Sequence, residues 1–152
     1  MEEAFAMRWG RTAGASAGAP PARVWEVLLD GRRWSLWNPG VEWMLLEGPP
    51  APGTILTMKP RRLPQTAFRI EEIVPQRLLA LAVRFGPVAT LRLSWRLTPD
   101  GDGTSLEQSV EIDGPLAGPL LKGAAVRIAD AVPANLQRLA ARAAAAPTPE
   151  PA

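Results

Sequence analysis

The spacing of apolar residues changes character along the chain, from helical to alternating and back to helical. Pro20-Pro21 supplies helix-start residues with a preset φ, and Val24, Trp25, Val27 and Leu28 then recur at helical spacing as far as Asp30. Trp34 and Trp37 lie one turn apart in a second short helix, which ends at Asn38-Pro39 because proline restricts the residue before it. From Val41 onward, runs with strand-like alternation are cut by Gly- and Pro-rich breaks, and predict strands over 41–46, 54–59, 66–74, 78–85, 89–98 and 104–112. Every link is too short for a parallel crossover, so the sheet is antiparallel. A weaker strand over about 6–17, rich in Ala and Gly, precedes the first helix.

The last two strands carry enough pattern to fix a register. Ala89, Leu91, Leu93, Trp95 and Leu97 alternate with polar residues, as do Leu106, Val110 and Ile112. A two-residue turn at Gly101-Asp102 sets Arg96 opposite Glu107 and Arg92 opposite Glu111. It also sets Leu97 opposite Leu106, Leu93 opposite Val110 and Leu91 opposite Ile112. One face is therefore wet and the other covered. The cover is the C-terminal segment, from Pro115 to about Ala146, where Leu116, Leu120, Ala124, Ile128, Val132, Leu136 and Leu139 recur every three or four residues. Pro133 falls inside it and is expected to bend or break the helix. The pattern is that of an α+β protein in which a curved antiparallel sheet wraps round a long C-terminal helix. Residues 1–146 read as a single domain and 147–152 as a disordered tail.

Composition changes this picture little. The chain has 152 residues, 47% hydrophobic and 21% charged, which suits one globular domain. The pI of 9.9 suggests nucleic acid, yet the net charge is only +2. With no His, Cys or Tyr, few groups titrate between the carboxylates and lysine, so a small positive charge persists to alkaline pH. Fifteen of the seventeen basic residues are Arg, and Ala and Pro abound, as a GC-rich bacterial genome would produce. Arg32-Arg33 and Arg61-Arg62 are the only adjacent basic pairs, too little for a nucleic-acid footprint. No apolar run is long enough for a stable membrane insertion, and the first nine residues lack a signal-peptide pattern, so a cytoplasmic location is expected.

The order of strand, two short helices, six-strand meander and long helix resembles the helix-grip fold of the SRPBCC superfamily, the START-like and birch-pollen-allergen-like proteins. The segment from Ala19 to Leu28 looks like that superfamily's first-helix opening. Asp30 with Trp34-Ser35-Leu36-Trp37-Asn38-Pro39 resembles the second helix of its polyketide cyclase/dehydrase-like branch. Phe68 to Pro75 is similar to its fourth strand and turn. The resemblance implies a seven-stranded sheet and a cavity between sheet and helix. It implies no catalytic set, because these motifs are structural.

Successive hairpins alternate between the two ends of a meander. The loops at 60–64, 85–88 and 113–116 therefore share one end with the start of the long helix, which is the expected cavity mouth. The candidate ligand-binding residues on the inner face are Met58, Phe68, Ile70, Leu81, Val83, Phe85, Leu91, Leu93, Trp95, Gln108, Val110 and Ile112. Leu116, Leu120, Ala124 and Ile128 join them from the helix. Small residues at Gly118, Gly123, Ala124 and Ala125 leave room where a filled core would take larger ones. Trp34, Trp37 and Trp43 are read as packing rather than as stacking platforms. Glu72 and Gln108 are the polar residues expected to face inward, in one row with Leu79 and Trp95. Three strand spacings put them about 14 Å apart, too far for a close acid–base pair. Glu72 is nonetheless the one weak catalytic candidate, since partial burial raises a carboxyl pKa.

The absence of His and Cys excludes imidazole bases, Ser-His-Asp and Cys-His relays and His/Cys zinc sites. No acidic cluster spaced for a metal, phosphate-cradling loop or dinucleotide fingerprint occurs, so neither metal nor cofactor is expected. Three functions remain in view. The leading one is binding or transport of a hydrophobic small molecule (lipid, quinone or polyketide-like) by a monomer or homodimer. The others are a polyketide cyclase/dehydrase-type enzyme and a protein-interaction module with an incidental cavity.

Overall fold

The computed structural model describes residues 7–145; the expected disordered tail, Ala146 and the first residue of the weak N-terminal strand lie outside that range. Strand β1 (Met7–Ala17) leads into α1 (Pro21–Leu29) and a short 3-10 helix, η1 (Gly31–Leu36). Six strands follow: β2 (Val41–Leu46), β3 (Ile55–Pro60), β4 (Thr66–Val74), β5 (Leu78–Phe85), β6 (Ala89–Asp100) and β7 (Gly103–Gly114). The chain closes with α2 (Ala117–Ala144). All seven strands form one antiparallel sheet in the order β1-β7-β6-β5-β4-β3-β2. Inward side chains from β2 to β7 converge with α2 on one enclosed volume, so the sheet curls around the helix. The α+β helix-grip architecture expected from the sequence is the one observed.

The hairpin register is as expected: Arg96 pairs with Glu107, Leu93 with Val110 and Leu91 with Ile112. The outer ion pairs take a different route. Arg92 binds Glu71 on β4 (3.0 Å) and the Asp113 carboxylate, rather than Glu111 directly across from it. Glu71 also holds Arg84 at 3.1 Å. The Arg92 guanidinium reaches diagonally to Asp113 and passes over the small Ala82 of β5 to Glu71, so the network gathers β4, β5, β6 and β7 on the outer face.

Three features place the short helices and the start of α2. The Trp34 indole donates to the Leu28 carbonyl at 2.7 Å, inside a cluster with Trp37 and Trp95 at ring separations of 4.9 and 5.6 Å. Thr104 is buried and donates to the Ala19 carbonyl at 2.7 Å, tying β7 to the link before α1. Gly114 has φ +125°, and a Cβ there would collide with the Val88 carbonyl, which accepts the Leu116 N–H. Only glycine fits both the dihedral and the approach.

Helix α2 runs unbroken through Pro133, so of the expected bend or break the break does not occur. Pro133 itself is exposed, so its ring projects into solvent and displaces no core side chain. The phase of the helix also differs in its first half. Ala117, Leu121, Ala125 and Ala129 are buried, whereas Leu116 is 45% and Leu120 55% exposed. Stepping strictly by four residues drifts about 40° per step on a helix of 3.6 residues per turn. Four such steps back from Val132 carry Leu116 to the far side. The alanines bring this half of α2 close to β1 and β7.

Candidate functional site

The cavity lies between the concave face of the sheet and the middle of α2, and has a volume of about 740 Å³. Strand alternation supplies its apolar floor: Met58 on β3, Phe68 on β4, Val83 and Phe85 on β5, and Leu91, Leu93 and Trp95 on β6. The helix contributes Leu121, Ala124, Ile128, Ala131 and Val132 from successive turns. Trp34 and Val41 wall off the side under η1 and β2.

Ten of the sixteen candidate binding residues line the cavity: Met58, Phe68, Val83, Phe85, Leu91, Leu93, Trp95, Gln108, Ala124 and Ile128. Ile70, Leu81, Val110 and Ile112 are at most 1% exposed and pack in the core instead. Leu116 and Leu120 are outside altogether, by the helix phase described above. Of the small residues expected to make room, only Ala124 borders the cavity; Ala125 packs in the core and Gly123 is exposed.

Glu72 does not face inward. A β-bulge interrupts the β4–β5 ladder between Ile70 and Glu72, so that Glu72 pairs with Ala80 and Ile73 with Leu79. The extra residue turns Glu72 to the exposed side and the half-buried Ile73 inward. Burying Ile73 in place of a carboxylate is the favourable exchange. The rest of the expected row stands: Leu79 lies beside Trp95, and Trp95 beside Gln108.

Gln108 is 5% exposed, lines the cavity, and its side-chain amide has no hydrogen-bond partner among the described residues. The indole N–H of neighbouring Trp95 is likewise buried without a partner. Asn135, 7% exposed, donates to the Asn38 side chain at 3.2 Å and accepts from Arg138 at 3.0 Å. Both asparagines line the cavity and bridge α2 to the turn before β2.

Exposed residues that also line the cavity mark where it opens. These are Gly40, Arg61, Leu63, Pro64 and Gln65, with Phe85 across from them and Arg127 and Ala131 on α2. The opening includes the expected loop at 60–64 and the end of β5. It does not include 113–116; the middle of α2 takes that place. Sequence reasoning passed over Trp34, Arg61, Arg127 and Asn135 as wall residues. Asn135 was detectable, since it sits three residues from Val132 and four from Leu139 on the inward stripe. The placement of Arg61 depends on the path of an irregular loop, which carries no periodic signal.

Comparisons with known proteins agree with this geometry. A family model described as polyketide cyclase / dehydrase and lipid transport matches residues 12–144. Among solved structures, Ara h 8.0201 superimposes with a TM-score of 0.66 at 11% identity, over 90% of this chain and 98% of that one. The Zhui aromatase/cyclase from Streptomyces sp. R1128 gives 0.65 at 18% identity, over 90% and 94%. TTHA0849 from Thermus thermophilus gives 0.64 at 19% identity, over 89% and 97%. At these identities the likeness is one of fold. No curated protein gives a significant match.

Proposed function

From the premise that this chain belongs to the polyketide cyclase / dehydrase and lipid transport family, we propose that it binds an apolar small molecule of lipid, quinone or polyketide type between sheet and helix. The observation that carries this reading is the cavity itself. Its 740 Å³ falls within the roughly 300–1,000 Å³ of small-molecule sites. A ligand that fits apolar walls gains dispersion contacts with them, and a site of this composition rewards it for shape and for leaving water.

The wall supports holding rather than converting. Its polar groups are the amides of Asn38, Gln65, Gln108 and Asn135, the Thr66 hydroxyl, two arginines and the indole N–H groups of Trp34 and Trp95, with no carboxylate among the described lining residues. Glu72, the one acid–base candidate, is on the opposite face of the sheet. The cavity is open and framed by the fold, which favours a ligand over the interaction-module reading. Among the described residues no helix is long and apolar enough to cross a membrane, and we place the protein in the cytoplasm as a carrier without nucleic-acid contacts.

Native mass spectrometry of freshly purified protein tests this reading. The expected result is a bound apolar compound, released on denaturation. Repeated recovery of empty protein that also ignores added lipids, quinones and aromatic polyketides would overturn it.

A further inference from the structure

We propose that the ligand is an amphipathic acid, with its apolar body in the cavity and a single carboxylate at the opening, held by Arg61 and Arg127. This rests on the binding role proposed above and specifies the chemistry of the ligand. The charged residues lining the cavity are these two arginines, both exposed and so both at the opening. No acidic residue among the described lining side chains balances them.

Each arginine is available. Arg61 is anchored by its backbone N–H to the Gly40 carbonyl (3.0 Å) and by its Nε to the Pro39 carbonyl. Those bonds fix the stem and leave the two terminal guanidinium nitrogens without a partner among the described residues. Arg127 has no ion pair there either. The nearest acid along its helix face, Asp130, is already engaged by Arg11 at 2.6 Å. Cations at the rim of a low-dielectric cleft raise the local concentration of anions, and more strongly than on an open surface.

The head is assigned as a carboxylate because the devices that favour phosphate are elsewhere. The N-terminus of α2, whose free N–H groups would suit a phosphate dianion, begins at Ala117, and the cavity meets α2 only from Leu121 onward. A planar guanidinium matches a carboxylate in two parallel hydrogen bonds. The unpartnered amide of Gln108 adds a neutral contact for a carbonyl or hydroxyl on the ligand body.

The test is titration calorimetry at low ionic strength with three matched twelve-carbon probes: dodecanoate, dodecanol and dodecyl phosphate. Dodecanoate is expected to bind about tenfold more tightly than dodecanol, as charge-assisted hydrogen bonds at a partly desolvated rim allow. The preference should shrink as salt rises. In Arg127→Gln, and further in Arg61→Gln/Arg127→Gln, the dodecanoate-to-dodecanol affinity ratio should fall towards one. Lys122→Gln removes an exposed charge of α2 that does not line the cavity, and should keep the ratio. Equal binding of acid and alcohol would overturn the proposal while leaving a cavity that binds apolar molecules. An equal fall of the ratio in Lys122→Gln would overturn it in favour of general surface attraction. Tighter binding of dodecyl phosphate than of dodecanoate would overturn the carboxylate assignment. Failure of every probe, in protein that also ignores a neutral apolar dye, would overturn the binding role together with this inference.

Discussion

Gln108 and Glu72 show what one residue's surroundings decide. Both fall on the expected inner face, yet only Gln108 arrives there, because period-two alternation in β7 runs without interruption. Glu72 is displaced by a bulge that no local residue announces; it arises where burying Ile73 outweighs a regular ladder. Gln108 has no side-chain partner among the described residues, and its amide is open to the cavity rather than sealed in the core, so the fold gains little from it. Gln108→Leu keeps the approximate size and removes the amide. The variant is expected to be as stable as the wild type or up to about 1 kcal/mol more stable in urea unfolding, while binding ligands with a carbonyl or hydroxyl less well. A loss of more than about 2 kcal/mol would mean that the amide is satisfied by the fold rather than kept for a ligand.

At the scale of elements, the sheet was more legible than the helix that covers it. Strands are read by alternation, and an alternating face cannot drift: the Arg96–Glu107 register followed from a turn and two strands. A helix read by four-residue steps does drift, which put Leu116 and Leu120 inside when α2 buries Ala117, Leu121 and Ala125. Alanines carry a weak hydrophobic signal and were easily passed over, although their small size lets α2 approach β1 and β7. The phase of α2 has a direct consequence for stability. Leu136, fully buried, should cost about 2–5 kcal/mol when changed to Ala. Leu120→Ser should stay within about 0.5 kcal/mol of wild type, since its side chain is largely in water. Urea denaturation of the two variants separates the alternatives. A large loss at Leu120 would restore the phase read from the sequence.

For the whole molecule, the sequence pointed to a container and to one end of the sheet as its mouth, but not to its outline. Hairpin parity placed the 60–64 loop and the end of β5 together, and both border the opening. Of the other rim residues, Gly40 comes from the turn before β2 and Arg127 and Ala131 from mid-helix, segments brought together only when the sheet curls. A cavity is a property of what is missing between elements, and no local pattern encodes it. The central claim is that this volume, and not a surface patch, takes the ligand. Ala124 lines it from α2, so a larger side chain there occupies the space without touching the opposite side of the sheet. The most direct measurement is titration of wild type and Ala124→Phe with Nile red, a neutral dye whose emission shifts to the blue in apolar surroundings. Saturable, blue-shifted binding by the wild type is predicted, with affinity at least about tenfold lower in Ala124→Phe at unchanged melting temperature. Equal binding by the two proteins, or none by either, would contradict it.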